Sequence, residues 1–156
     1  MTAKLAPGTK APGFTLPRDG GGEVSLASLA GKKVVLYFYP KDDTSGCTRE
    51  AVDFTAQAKA FESAGAQVVG VSPDSVASHD KFIKKHALGI PLLSDESRSM
   101  LEAYGVWVQK SMYGRTYMGV ERTTVLIDAS GKIARVWNKV KVDGHVNEVL
   151  AATKAV

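Results

Sequence analysis

The sequence contains one cysteine, Cys47, in the run YPKDDTSGCTRE. A lone thiol cannot form an internal disulfide, so a structural staple is excluded and the thiol is either a nucleophile or core filling. Only the thiolate attacks electrophiles, and making a thiol mostly ionised at neutral pH takes about 3 kcal/mol of preferential stabilisation. Position supplies part of that. Cys47 follows a turn and opens a helix, where free N–H groups and the macrodipole favour negative charge by about 0.3–1 kcal/mol, or about 2 in favourable buried geometry. A cation or further donors must provide the rest.

Arg49 is two residues on, about 200° around a helix, and points away from the thiol. Asp42 and Asp43 would oppose ionisation unless they face solvent, and that orientation is expected. Arg122, just before the strand pattern TTVLID, is the candidate cation, because a strand beside the first core strand would bring it to the mouth of the Cys47 helix. Glu50, one turn after Cys47, shares its helix face and could orient that arginine. Thr44 is an N-cap candidate with its hydroxyl near the sulfur. Each residue alone has a plainer reading: a buried inert thiol, a surface ion pair, a solvated carboxylate, an ordinary cap. Their joint arrangement points to an activated thiolate.

Other chemistries fail on residues. A cysteine phosphatase loop needs arginine six residues after its cysteine, where Asp53 stands, and there is no CxxC pair. His79 and His86, seven apart, are spaced too widely for an i, i+4 metal pair and are expected at the surface, so no metal site is expected. A cysteine–histidine protease dyad stays open at this level. The run Asp19-Gly20-Gly21-Gly22 lacks the strand–GxGxxG–helix setting of a phosphate loop and reads as a turn.

These residues need a scaffold. The apolar run at residues 34–39, stopped by Pro40, predicts a buried central strand. Ala51, Phe54, Ala58 and Phe61 give helical periodicity from about Thr44 to Ala64, before a second strand at residues 67–72. Strand, helix and strand make a βαβ unit with parallel strands. Next come a helix capped by Asp74 or Ser75 with Val76, Phe82 and Ile83 inward, a strand at residues 90–94, and a short helix at 96–104. Residues 106–121 show no period and read as a long loop. A hairpin follows (123–128 and 132–138), and then a helix capped by Asp143 that buries Val146, Val149 and Leu150. Segments 14–16 and 23–26 form an accessory hairpin.

The 156 residues, 44% of them hydrophobic and 23% charged, suit one globular domain, residues 1–156. Twenty basic against 16 acidic residues give +4, scattered among acidic neighbours; a nucleic-acid role rests on that charge alone and is not expected. No stretch approaches the roughly 20 apolar residues that span a bilayer, and MTAKLAPGTKAPGF has no apolar leader core, so no membrane role and a cytoplasmic location are expected.

The segment from Pro40 to Cys47 fits P-x-x-x-T-x-x-C. With Glu50, MYGRTYMG at residues 112–119 and Glu121-Arg122-Thr123, the chain resembles the Q-type, or bacterioferritin comigratory protein, branch of the peroxiredoxins along almost its whole length. The resemblance implies an α/β, thioredoxin-like fold: a mixed central sheet flanked by helices, with the accessory hairpin. It implies a cofactor-free monomer that reduces hydrogen peroxide and organic hydroperoxides through a sulfenic acid at Cys47, with Thr44, Pro40 and Arg122 shaping the pocket. Tyr39 and Arg115 are candidates for the substrate entrance. Two departures stand out. The resolving cysteine common five residues after the first is Val52 here, so resolution falls to an external thiol such as thioredoxin, a glutaredoxin or glutathione, unless Val52 is an engineered replacement. Ser45 replaces a proline common in that turn. A redox-sensing module that signals through a mixed disulfide is the competing reading.

Overall fold

The computed structural model describes residues 5–156; the start of the N-terminal segment read for a leader, residues 1–4, lies outside them. Strands β1 (Thr15–Pro17) and β2 (Glu23–Ser25) pair antiparallel as the expected accessory hairpin. The chain continues through β3 (Lys33–Phe38), α1 (Ser45–Ala56), α2 (Ala58–Ser63), β4 (Ala66–Ser72), α3 (Val76–His86), β5 (Leu92–Ser94) and α4 (Ser99–Ala103). It ends with β6 (Trp107–Met112), β7 (Arg115–Val120), β8 (Thr123–Ile127), β9 (Ile133–Trp137) and α5 (His145–Lys154).

The central sheet has the order β5-β4-β3-β8-β9, with β3, β4 and β5 parallel and β8 and β9 antiparallel. Strand side chains alternate between faces. Val35, Tyr37 and Tyr39 therefore join Phe54, Phe61, Phe82, Val146 and Val149 in one core, while Val34, Leu36 and Phe38 join Met100, Leu101 and Tyr104 in another. Both faces of β3 are covered, which is why its sequence is an unbroken apolar run.

Four expectations need correction. The helix expected over residues 44–64 is two helices, with a break at Gln57, whose N–H turns back to the Phe54 carbonyl. The apolar period runs through this break, so periodicity cannot register it. Residues 106–121 are not a loop: β6 and β7 form a hairpin closed by Tyr113 and Gly114, both at positive φ, the signature of a two-residue type I′ turn. Much of this hairpin is exposed on both sides, so no one-sided alternation marks it in the sequence. Gly144, not Asp143, precedes α5, and Asp143 instead pairs with Arg49. His79, expected at the surface, is fully buried.

Candidate active site

The sheet register places the arginine. Thr123, the first residue of β8, pairs with Phe38, the last of β3, so Arg122 lies beside the point where the chain leaves β3 for Tyr39, Pro40 and α1. Its guanidinium makes a fork: Nη1 donates to Glu50 Oε1 at 2.7 Å and Nη2 donates to Cys47 Sγ at 3.2 Å. Gly46 makes room for this approach, since a Cβ there would stand 3.3 Å from Arg122 Nη2. Cys47 is only 1% exposed, and it belongs to the same buried cluster as Tyr37 and Phe54. Burial alone would mark inert filling; a charged donor on the sulfur does not fit that reading.

Cys47 is the third residue of α1, within the turn whose N–H groups have no intrahelical acceptor. Thr44 is the N-cap residue, but its hydroxyl does not cap: Oγ1 donates to the Lys41 carbonyl at 3.0 Å. This corrects the expected side-chain cap and leaves those N–H groups unclaimed by Thr44. Asp43 faces solvent as expected, paired with Lys85 and His86 at 2.7 and 2.8 Å. Asp42 does not face solvent. It is buried, accepting from Tyr39 Oη at 2.6 Å and paired with His79 Nδ1 at 2.6 Å.

Tyr39 therefore lines no entrance; it is fully buried behind the turn. Pro40 is half-buried at the turn, and Arg115 sits exposed at the tip of the β6–β7 hairpin, opposite Met112. The hairpin brings a cation that the sequence reading missed. Burial and the nearby Arg122 pull the Lys110 amine down, while Glu121 and Cys47 pull it up, so Lys110 shares the electrostatic neighbourhood of the sulfur. Its signal was Tyr113-Gly114, which would have turned a presumed loop into two paired strands.

Glu50 has no exposed surface, and its Oε2 has no partner. Burial pushes its carboxyl up to about 7, outweighing the Arg122 ion pair that pulls it down. Arg122 is itself held more firmly charged: burial opposes the charge, but Glu50 and Cys47 outweigh it. A carboxyl raised in the folded state binds its proton more tightly there than in the unfolded chain. Its contribution to stability is therefore full below the ordinary value of 4.5 and is lost as pH rises through about 7. Glu50→Gln should remove this loss. Wild type should lose about 2–3 kcal/mol relative to the variant between roughly pH 5 and 8, read by urea unfolding at each pH. A difference independent of pH would overturn this account of Glu50.

The histidines leave no room for a protease dyad. Among the described residues they bond elsewhere: His79 to Asp42 and the Leu93 carbonyl, His86 to Asp43, and His145 to Thr124. Asp42, Asp74 and His79 could bring ligand atoms within 4.8 Å of one another, but both ring nitrogens of His79 already face oxygen partners.

A βαβ-containing mixed sheet that carries a cysteine at the first turn of a helix, under an arginine just before the antiparallel neighbour strand, defines a thioredoxin-fold thiol peroxidase. Residues 7–136 match the AhpC/TSA family model, and the chain belongs to that family. Its relatives place it in the Q-type branch of the peroxiredoxins. It is 54% identical over 143 residues to the putative peroxiredoxin bcp of Coxiella burnetii, covering 92% of this chain and 95% of that one. The structure superposes on Xylella fastidiosa PrxQ with a TM-score of 0.93 at 37% identity, covering 98% of each chain. It also superposes on the Xanthomonas campestris bacterioferritin comigratory protein, a structure concerned with alkyl peroxide reduction, with a TM-score of 0.87 at 45% identity, covering 91% and 90%. No helix among the described residues is long and apolar enough to cross a membrane.

Proposed function

We propose that the chain reduces hydrogen peroxide and organic hydroperoxides with Cys47 as the peroxidatic thiolate. The observation that carries this is the 3.2 Å contact from Arg122 Nη2 to a sulfur held at the N-terminus of α1. The thiolate attacks the terminal peroxide oxygen in line: an S–O bond forms, the O–O bond breaks, and its electron pair leaves with the second oxygen. That oxygen takes a proton and departs as water or an alcohol, and Cys47 becomes a sulfenic acid.

Arg122 and the free N–H groups of α1 offset negative charge on the sulfur and on the leaving oxygen. The Thr44 hydroxyl commits its proton to the Lys41 carbonyl, so its oxygen can accept a hydrogen bond from the hydroperoxide O–H. Pro40 walls the approach without offering a competing donor. The alkyl peroxide reduction associated with the Xanthomonas campestris relative supports organic hydroperoxides as substrates alongside hydrogen peroxide.

With one cysteine in the sequence, the sulfenic acid meets an external thiol, such as thioredoxin, a glutaredoxin or glutathione. That thiol displaces water to give a mixed disulfide, and a second thiol releases Cys47. We read the chain as one domain that works as a cytoplasmic monomer. Mass spectrometry after one equivalent of peroxide tests the chemistry. Cys47 should gain one oxygen, and with glutathione present it should carry a glutathione adduct instead. An unmodified Cys47 under both conditions would falsify this reading.

A further inference from the structure

Beneath the turn that launches α1 lies a buried polar cluster that takes no part in the peroxide chemistry. Asp42 is its hub. Its Oδ1 accepts from Tyr39 Oη at 2.6 Å, and its Oδ2 accepts from Ser78 Oγ at 2.8 Å and faces His79 Nδ1 at 2.6 Å. The Asp42 N–H donates to Asp74 Oδ2 at 2.8 Å, and the same oxygen accepts from Ser72 Oγ at 2.7 Å. The cluster thus ties the end of β3 and the start of α3 to the Asp42 carboxylate, and the chain just beyond β4 to the Asp42 N–H.

His79 completes it. The ring is fully buried, and its Nε2 lies 2.9 Å from the Leu93 carbonyl of β5. A carboxylate and a carbonyl only accept, so each contact requires an N–H and the ring carries both protons. The groups facing it are Asp42 from the turn, Asp74 from just beyond β4, the Leu93 carbonyl from β5 and the Tyr39 ring 6.4 Å away, while Ser78 and Ser72 bond to the two carboxylates. Burial works against the charge, but the Asp42 hydrogen bond and charge, with Leu93 and Asp74, outweigh it and raise the imidazole above its ordinary value.

The path to the sulfur is short. Asp43 follows Asp42 in a left-handed conformation with φ at 61°, Thr44 begins α1 without a side-chain cap, and Cys47 is in the first turn. Thr44 Oγ1 on the Lys41 carbonyl and the Asp43 pairs with Lys85 and His86 hold the outer side of the turn, and the bonds to Asp42 anchor its inner side to the core. We propose that His79 is a positioning residue of the peroxidatic site: held as an imidazolium between two acceptors, it fixes Asp42 and, through the turn at residues 40–44, the placement of Cys47 under Arg122. This rests on the peroxidatic reading of Cys47.

The test compares two rates at Cys47, oxidation by hydrogen peroxide and alkylation by iodoacetamide, in wild type and in His79→Gln at a temperature where circular dichroism shows both folded. Misplacement of a reacting group by about 1 Å can cost about 100-fold, so the ratio of peroxide to alkylation rate should fall by up to about that factor. A residue that only stabilises the fold would leave the ratio unchanged, and that result overturns the proposal. Asp42→Asn, which weakens the same link from the other side, should lower the ratio likewise. Nitrogen-15 NMR of wild type needs no variant: both His79 nitrogens should be protonated at neutral pH, and a single-proton ring overturns the proposal. A wild-type ratio no higher than that of a free thiol sinks the peroxidatic reading itself, which separates the two failures.

Discussion

Replacing Arg122 with alanine should slow the oxidation of Cys47 by hydrogen peroxide about 100- to 1000-fold, the usual loss when one preorganised donor is removed from developing charge. Two effects combine. The sulfur loses the Nη2 contact at 3.2 Å, and the fully buried Glu50 carboxylate loses its Nη1 partner at 2.7 Å. Glu50 would then favour its protonated form still more strongly, since burial already pushes it up and the opposing cation is gone. Arg122→Lys should recover only part of the rate. One ammonium is a point charge, whereas the planar fork reaches both Glu50 and Cys47 at once. Stopped-flow oxidation followed by thiol titration measures both variants. An alanine variant within a few-fold of wild type would mean that the helix N-terminus, with Lys110 nearby, activates the sulfur without Arg122.

Those parts of the site that depend on strand order and helix period were legible in the sequence. The apolar run of β3 and the TTVLID pattern suggested neighbouring strands, and the register Phe38 to Thr123 brings Arg122 to Cys47 as that neighbourhood requires. Glu50 followed from one helical turn. Parts that depend on tertiary burial of polar groups were not legible. Asp42 and His79 are polar residues in an exposed-looking context, 37 positions apart, and only the packing of α3 against the turn makes them a buried pair. Lys110 was hidden for another reason. Its hairpin stands clear of the central sheet with exposed Met112, Tyr113, Tyr117 and Met118, so burial imposes no alternating pattern on it.

Without added thiol, the protein should consume a single equivalent of peroxide and stop; glutathione or a thioredoxin system should restore turnover. The single cysteine makes this so, and Val52 stands where the family resemblance expects its partner. It is 42% exposed on α1, five positions beyond the buried Cys47. In an intact helix the two Cα atoms stand about 8–9 Å apart on different faces, beyond the roughly 7 Å that a disulfide spans. A cysteine at 52 could therefore bond Cys47 only if the start of α1 unwinds. The intrinsic hold on that start is weak, leaving chiefly the packing of its buried face to resist: α1 has 12 residues, ends at the Gln57 break and has no side-chain cap at Thr44, and isolated helices of about this length are marginal in water. Val52→Cys should thus form an internal disulfide after peroxide, read as a loss of two hydrogens in the intact mass together with weaker far-ultraviolet helix ellipticity. Its sulfenic acid should no longer accumulate, and glutathione should no longer be needed to clear it. Wild type turning over repeatedly with no thiol present would rule out external resolution. A Val52→Cys protein that oxidises at Cys47 yet never closes the bond would show that α1 holds its first turns too firmly for a partner at this position.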